Sequence, residues 1–309
     1  MIDRSEIPLD TPIEPVPAKA ERPALRIARD FVQSPAAVIG LIGFLVIATA
    51  AILAPWITPQ NPYDLAQLDI MEGRLPPLAE SFAGQTWWLG TDDQGRDMLS
   101  AIIYGLRISL AVGASSTLAA LLIGAGLGLV AAYYGGKVET AIMRVVDLQL
   151  SFPAILVALI LLAILGRGVD KVVIALIIVQ WAYYARTIRG TALVERSKEY
   201  VEAARCLALG SRRILFHHLL PNCLPPLIVI ATVQVANAIA LEATLSFLGV
   251  GVPITEPSLG LLISNGYGYM LSGDYWISFF PGIALLITIV CINLMGDQLR
   301  DILNPRLQR

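Results

Sequence analysis

Residues 36–55 form an uncharged run of 20 residues in which Thr49 is the only polar side chain. Coiled as a helix rising 1.5 Å per residue, that run is about 30 Å long, the thickness of a bilayer's hydrocarbon core. Five more apolar segments follow, at 106–134, 145–165, 172–186, 224–250 and 276–294. In lipid every backbone N–H and C=O must be satisfied internally, and these runs are too long and too uniformly apolar for the alternating strands of a barrel. The expected fold class is therefore all-α, a polytopic membrane protein with six transmembrane helices. Composition agrees, with 56% hydrophobic residues, 15% charged residues and a mean hydropathy of +0.69. Soluble domains hold about 25% charged residues. A formal charge of −2 leaves no nucleic-acid partner to expect, and the lipid bilayer becomes the chain's main surroundings.

Charge then orients the spans. With the N-terminus inside, the cytoplasmic segments collect 17 of the 22 Lys and Arg residues and the external loops collect 4, with Arg107 on a boundary. The positive-inside rule places both termini in the cytoplasm of a multi-pass plasma (inner) membrane protein. The expected organisation is a Pro-rich, charged cytoplasmic tail at 1–35, a first span at 36–55, an external loop at 56–105 and a five-helix core at 106–309. A cytoplasmic loop at about 190–222 interrupts the core between the fourth and fifth spans. The first span follows about 35 polar residues with no small-residue cleavage site, which reads as a retained span rather than a signal peptide. Cys206, Cys223 and Cys291 have no framework spacing and read as thiols without disulfides.

The cytoplasmic segment YVEAARCLALGSRRILFHHLLPN at 200–222 is the most informative part of the chain. Tyr200, Ala203, Ala204, Leu207 and Ala208 fall at i, i+3, i+4, i+7 and i+8, one apolar helical face with small residues at its centre. Ser197 is the expected N-cap, Glu199 and Glu202 suit the start of the helix dipole, and Gly210 is expected to end the helix. Ser211 is the expected cap of a second short helix that runs to about Leu219 and stops at Pro221. Such a face fits a groove on another protein. The same pattern also fits a helix lying on lipid or packed on its own bundle, and periodicity does not separate these readings.

Several polar residues lie within the spans: Asp147, Gln149, Gln180, Gln234, Asn237, Glu242 and Asn293. Asn237, Glu242 and Asp147 are candidates for lining a translocation path, because ionisable and polar groups in a bilayer tend to face water-filled routes. Interhelical hydrogen bonding is the alternative. Gly124, Gly126 and Gly128 sit inside an apolar span and read as close helix packing rather than a nucleotide loop. Gly135-Gly136-Lys137-Val138 lacks the spacing and hydroxyl of a phosphate-binding loop, so energy is expected from a partner. His217 and His218 have no metal-ligand spacing around them, and no metal or catalytic residue is expected. In the external loop, Asp92, Asp93, Arg96 and Asp97 beside Trp87 and Trp88 read either as a surface for an external protein or as a solvated cap turned at Gly90 and Gly95.

Glu202-Ala203-Ala204, followed by Gly210 and Leu220-Pro221, resembles the EAA loop of ABC importer permeases. The fuller YVEAAR…RRI…HLLPN, with LGTDDQGRDMLSAIIYGLRISL (89–110), EATLSFLGVGV (242–252) and NLMGDQLRDILNPRL (293–307), resembles the C-type subunit of the dipeptide, oligopeptide and nickel branch. The resemblance implies a type I ABC importer permease fold of the MetI-like kind. It also implies an ATPase-coupling role for Tyr200, Glu202, Ala203, Ala204, Leu207, Gly210, Leu220 and Pro221. The implied partners are a homologous B-type permease forming a heterodimer, two ABC ATPase subunits that bind the ATP and Mg, and an external substrate-binding protein. No cofactor is expected in this chain itself. The family usually has Gly where Ala208 stands and Arg where His217 stands. The rival expectation is a secondary transporter driven by an ion gradient, which needs a relay of intramembrane carboxylates and has Asp147 and Glu242 available.

Overall fold

All six expected spans are helical, and most run well past the apolar core that announces them. The computed structural model describes residues 23–303 apart from 83, 254 and 257. Residues 1–22 of the expected tail at 1–35 and the C-terminal residues 304–309 lie outside the described residues. A short helix α1 (Pro23–Val32) turns into α2 (Pro35–Ile57), whose first turn is capped by Ser34 accepting from the Ala37 amide at 3.4 Å. A small loop body carries the two-stranded hairpin β1 (Ala79–Glu80) and β2 (Thr86–Trp87), paired antiparallel. Then come α3 (Met98–Tyr134), α4 (Gly136–Leu150), α5 (Ala154–Leu165) and α6 (Val169–Arg196). After α6 lie α7 (Glu199–Cys206), α8 (Ser211–Arg213), a π-helical stretch Ile214–Leu219 and α9 (Leu220–Phe247). The chain closes with α10 (Leu259–Tyr267) and α11 (Trp276–Leu303).

The third expected span, 145–165, is not one helix. It is the bent pair α4 and α5, meeting at 92° around Ser151, Phe152 and Pro153. Proline disfavours helical geometry in the residue before it and gives no N–H to the preceding turn, so the apolar run folds over at that point. The 12 residues of α5 cover only about 18 Å, short of a hydrocarbon core, so the bent pair forms a broken span or a re-entrant loop rather than one straight span. Two ion pairs hold α4 to α6, Asp147 with Arg186 at 2.5 Å and Glu139 with Arg189.

The bundle is organised around α3, a helix about 55 Å long that packs chiefly on α6. α9 lies against α3, α6 and α11, while α2 rests on the outer side against α11 and α3. Gly124 and Gly128, one turn apart, make the α3–α6 contact close. A Cβ on Gly124 would stand 2.2 Å from the Trp181 carbonyl oxygen, and one on Gly128 would stand 2.4 Å from that of Ala185. Gly126, on the other side of the same helix, has nothing within 4 Å of that position. The close-packing expectation therefore holds for two of the three glycines.

The charged loop between α2 and α3 is a largely buried cap, not an exposed charged surface, although Asp93 Oδ1 and Arg96 Nη2 are buried there without a hydrogen-bond partner among the described residues. Asp92, Arg96 and Asp97 are buried, and Arg96 Nε donates to Asp92 Oδ2 at 2.6 Å. Asp97 caps α3 by accepting from the amide and hydroxyl of Ser100, although burial pushes its carboxyl above the usual range. Glu72 accepts from Ser81 Oγ, the Phe82 amide and Trp87 Nε1. Burial opposes ionisation of Glu72, but these three donors outweigh it and hold its pKa below the ordinary value. Trp87 is buried by this arrangement, while Trp88 remains exposed.

The glycine contact gives a direct test. Gly124→Ala forces α3 away from α6 and should lower stability by about 1–3 kcal/mol, whereas Gly126→Ala should be neutral. Thermal unfolding of the purified protein in detergent measures both, and equal effects of the two substitutions would contradict the packing described.

Candidate functional site

The site is the segment that leaves the bundle at the end of α6 and re-enters it at α9. Helix α7 follows α6 after only Ser197 and Lys198. Lys198, not Ser197, holds the cap position; the Ser197 hydroxyl donates instead to the Val194 carbonyl at 2.8 Å. Glu199 and Glu202 lie in the first turn of α7, where carboxylates favour the helix dipole.

The helix ends at Cys206, earlier than Gly210, and the turn that ends it rests on Ala208. The Leu209 amide bonds to the Ala204 carbonyl at 3.1 Å and the Ala208 amide to that of Arg205 at 2.9 Å. This is a Schellman closure, whose central residue must be left-handed, and Ala208 has φ 53°. Glycine adopts that conformation freely and alanine does not, so the turn is strained at the position where the family usually has Gly. Gly210, by contrast, has φ −61° and ψ 144°, and precedes α8 without a side-chain cap. The Ser211 hydroxyl, expected as a cap, pairs with the Tyr133 hydroxyl at the end of α3 at 3.1 Å.

Pro221 does not stop the second helix. Helix continues from Ser211 to Phe247, changing to π geometry over Ile214–Leu219, with the Leu220 amide bonding to the Leu215 carbonyl. A π turn widens the helix just before the proline ring would press on the carbonyl four residues back. The segment between α6 and the body of α9 is thus α7, a turn, and an unbroken extension of α9.

Burial divides the expected apolar face. Val201 and Ala204 are buried in one cluster with Leu129 of α3, Ile188 and Ala192 of α6, Ile214, Leu219 and Leu227. Tyr200 and Leu220 pack against that cluster. Glu202, Ala203, Cys206, Ala208 and Gly210 are exposed, and Leu207 is 74% exposed. Pro221 and Phe216 are exposed as well. The helical face drawn through Tyr200, Ala203, Ala204, Leu207 and Ala208 is therefore split: Tyr200 and Ala204 turn into the chain's own bundle, and the others turn away from it. Val201, missed by the small-residue reading, is the residue that anchors α7.

Polar ties complete the mounting. Arg196 Nη1 donates to the Ala132 carbonyl at 2.8 Å, and the Arg205 guanidinium lies 5.8 Å from the centre of the Tyr133 ring. Glu195 accepts from Lys198 Nζ at 2.6 Å and from the Tyr200 hydroxyl at 2.8 Å, while Asn222 Nδ2 donates to the Tyr200 oxygen at 3.1 Å.

Behind this segment, a cavity of about 1250 Å³ opens between α1, α6, α9 and α11. Arg186, Glu195, Asn222, Asp297 and Arg300 line it, and Gln234 stands among the residues deepest along α9. Gln180 Nε2 donates to the Gln234 carbonyl at 3.5 Å, and Asn237 Nδ2 donates to Gln234 Oε1 at 2.8 Å. Of the three path candidates, Asn237 is exposed on α9 next to this layer. Asp147 is exposed on α4 and paired with Arg186, which lines the cavity. Glu242 is wholly buried, accepting from Ser109 Oγ at 2.9 Å and Ser246 Oγ at 2.8 Å, and so lines no path in this conformation. Among the described residues no three His, Cys, Asp or Glu side chains are grouped to hold a metal ion.

Comparison with known proteins places this geometry. Residues 124–309 match the family described as binding-protein-dependent transport system inner membrane component. Residues 23–77 match the N-terminal TM domain of oligopeptide transport permease C. The dipeptide transport system permease protein DppC of Haemophilus influenzae is 38% identical over 90% of this chain and 93% of its own. Its namesake in Escherichia coli K12 is 40% identical over 90% and 92%. The di/tripeptide transport system permease protein DppC of Pseudomonas aeruginosa is 38% identical over 91% of each. Among solved structures, an inward-facing conformation of the MetNI methionine ABC transporter matches with a TM-score of 0.56 at 22% identity. That match covers 67% of this chain and 98% of the other, and it shows a shared fold.

The strained turn makes its own prediction. Ala208→Gly should relieve about 1 kcal/mol at the closure of α7. Hydrogen exchange at the Ala208 and Leu209 amides should slow several-fold in the variant, and unchanged or faster exchange would contradict the left-handed geometry.

Proposed function

The chain belongs to the family of binding-protein-dependent transport system inner membrane components, and from that premise we propose how it works in an importer for dipeptides or oligopeptides. It is a multi-pass permease subunit of an ABC importer, and the peptide class is carried by the names of its relatives. In our reading it pairs with a homologous B-type permease, receives solute from an external binding protein, and is driven by two ATPase subunits that hold ATP and Mg. The N- and C-termini and α7 face the cytoplasm.

The observation that carries the reading is the exposed side of α7. Glu202, Ala203, Cys206 and Leu207 form a convex, partly apolar surface on a helix whose other side is anchored in the bundle. A rigid helix with one unpartnered face is what a groove on a cytoplasmic ATPase can grip. The exposure of Asn237 also supports a second permease, because a polar amide on a spanning helix favours protein or water over lipid.

The mechanism follows from that mounting. Closure of the ATPase dimer displaces α7, and α6 and α9, joined to it by the link Ser197-Lys198 and by the turn through Ala208, transmit the displacement to the cavity walls. The path then alternates between outward and inward access, with no bond made or broken in this chain. The ion-gradient alternative draws no support from the relatives. Its two carboxylates stand apart, Glu242 enclosed by serines and Asp147 paired with Arg186.

Glu202→Arg tests the docking face, since Glu202 is exposed and its side chain has no hydrogen bond or ion pair among the described residues. The variant should insert and fold normally, yet retain at least tenfold less ATPase subunit on co-purification or fall by that much in ATP-driven uptake. Wild-type association together with wild-type uptake would contradict the docking role.

A further inference from the structure

We propose that Tyr200 is a latch rather than a docking contact: its phenol ties the ends of α6 and α9 together behind α7, so that the helix and the cavity walls move as one body. This rests on the reading that α7 receives a push from an ATPase. The latch itself is read from geometry.

Helix α7 has 8 residues and is joined to the bundle by two short links. One is Ser197-Lys198; the other is the turn through Ala208, strained at φ 53°. Left to these links, α7 would swivel, and a force applied to its exposed face would be absorbed at the turns. Buried Val201 and Ala204 resist sliding, but two small apolar contacts restrain rotation weakly.

The restraint against rotation is polar. The Tyr200 hydroxyl donates to Glu195 Oε2 at the end of α6 and accepts from Asn222 Nδ2 at the start of α9. One oxygen thus joins three helices. Burial, reinforced by the Glu195 carboxylate, pushes the phenol up to about 12, so the proton stays on Tyr200 and the donation to Glu195 persists across the physiological range. Each partner is itself fixed, Glu195 by Lys198 Nζ at 2.6 Å and Asn222 by a second donation to the His218 carbonyl at 2.8 Å.

The same two partners belong to the wall of the large cavity, which Glu195 and Asn222 both line. The phenol therefore fastens the coupling helix directly to groups that bound the cavity. Tyr200 is in this sense a positioning residue: it touches neither solute nor nucleotide, and it acts through Glu195 and Asn222. The surrounding contacts explain why the sequence pattern mistook it for part of the outward face, since its ring continues the apolar stripe while its hydroxyl turns inward.

The test uses the assembled importer in liposomes, comparing wild type with Tyr200→Phe, Asn222→Ala and the double variant. Tyr200→Phe keeps the ring and its packing and removes only the hydroxyl. The expected result is retention of the ATPase subunits and continued hydrolysis, with solute taken up per ATP reduced about tenfold. Asn222→Ala, which cuts the same bridge from the α9 side, should show the same loss, and the double variant should be no worse than the single ones. Wild-type uptake per ATP in Tyr200→Phe would overturn the latch. So would release of the ATPase subunits by that variant, which would make Tyr200 a docking contact. Additive losses in the double variant would overturn it too. A wild-type chain that holds no ATPase would instead refute the reading beneath it, and the latch with it.

Discussion

The close approach of α3 and α6 at Gly124 and Gly128 is the contact on which the working end of the molecule depends. Where a Cβ would stand little more than 2 Å from a backbone carbonyl, two helices are held nearly in backbone contact. This fixes α6 along most of its length and brings the end of α3 beside the segment that leaves α6. Ala132, Tyr133 and Leu129 of α3 then supply a carbonyl for Arg196, a ring for Arg205, a hydroxyl for Ser211 and an apolar seat for α7. The small residues inside the bilayer therefore decide where a helix outside it can sit.

A helix mounted in this way can carry force. Its inner side is buried with the chain's own core, its outer side is bare, and beyond the turn through Ala208 an unbroken helix runs from Ser211 into α9 through a π-helical stretch. The polar layer of Gln180, Gln234 and Asn237 lies further along α9, beside the cavity that the same helices enclose. Between α7 and the helices that enclose the cavity lie only the link Ser197-Lys198 and the turn through Ala208.

Much of this was legible in the sequence because the bilayer imposes a simple rule of length and polarity. The spans at 36–55, 106–134, 172–186 and 276–294 each lie within a single helix, the span at 224–250 overruns the end of α9 at Phe247 by three residues, and Gly124 and Gly128 announced close packing. The third span misled, because hydropathy averages over Pro153 and the 92° bend it marks. The charges of the loop before α3 misled for another reason. Composition cannot say that Asp92 and Arg96 spend their charges on each other in a buried pair. At 200–222 the motif was plain but its orientation was not, since Tyr200 and Leu207 share a stripe on a helical wheel and only tertiary contacts put one inside and the other out. Proline at 221 and alanine at 208 obeyed local rules in part: a π turn accommodated the first, and a Schellman closure strained the second.

The central claim is that the bare side of α7 is covered by an ATPase in the working importer, and the chain carries its own probe for this. Of its three cysteines, Cys206 is exposed on α7 while Cys223 and Cys291 are buried. The rate of maleimide labelling at Cys206 should be measured for the isolated permease and for the assembled importer with its ATPase subunits bound. Strong protection of Cys206 on assembly, with Cys223 and Cys291 slow throughout, is the predicted result. Equal labelling of Cys206 in the isolated permease and in an assembled importer that hydrolyses ATP would contradict the account.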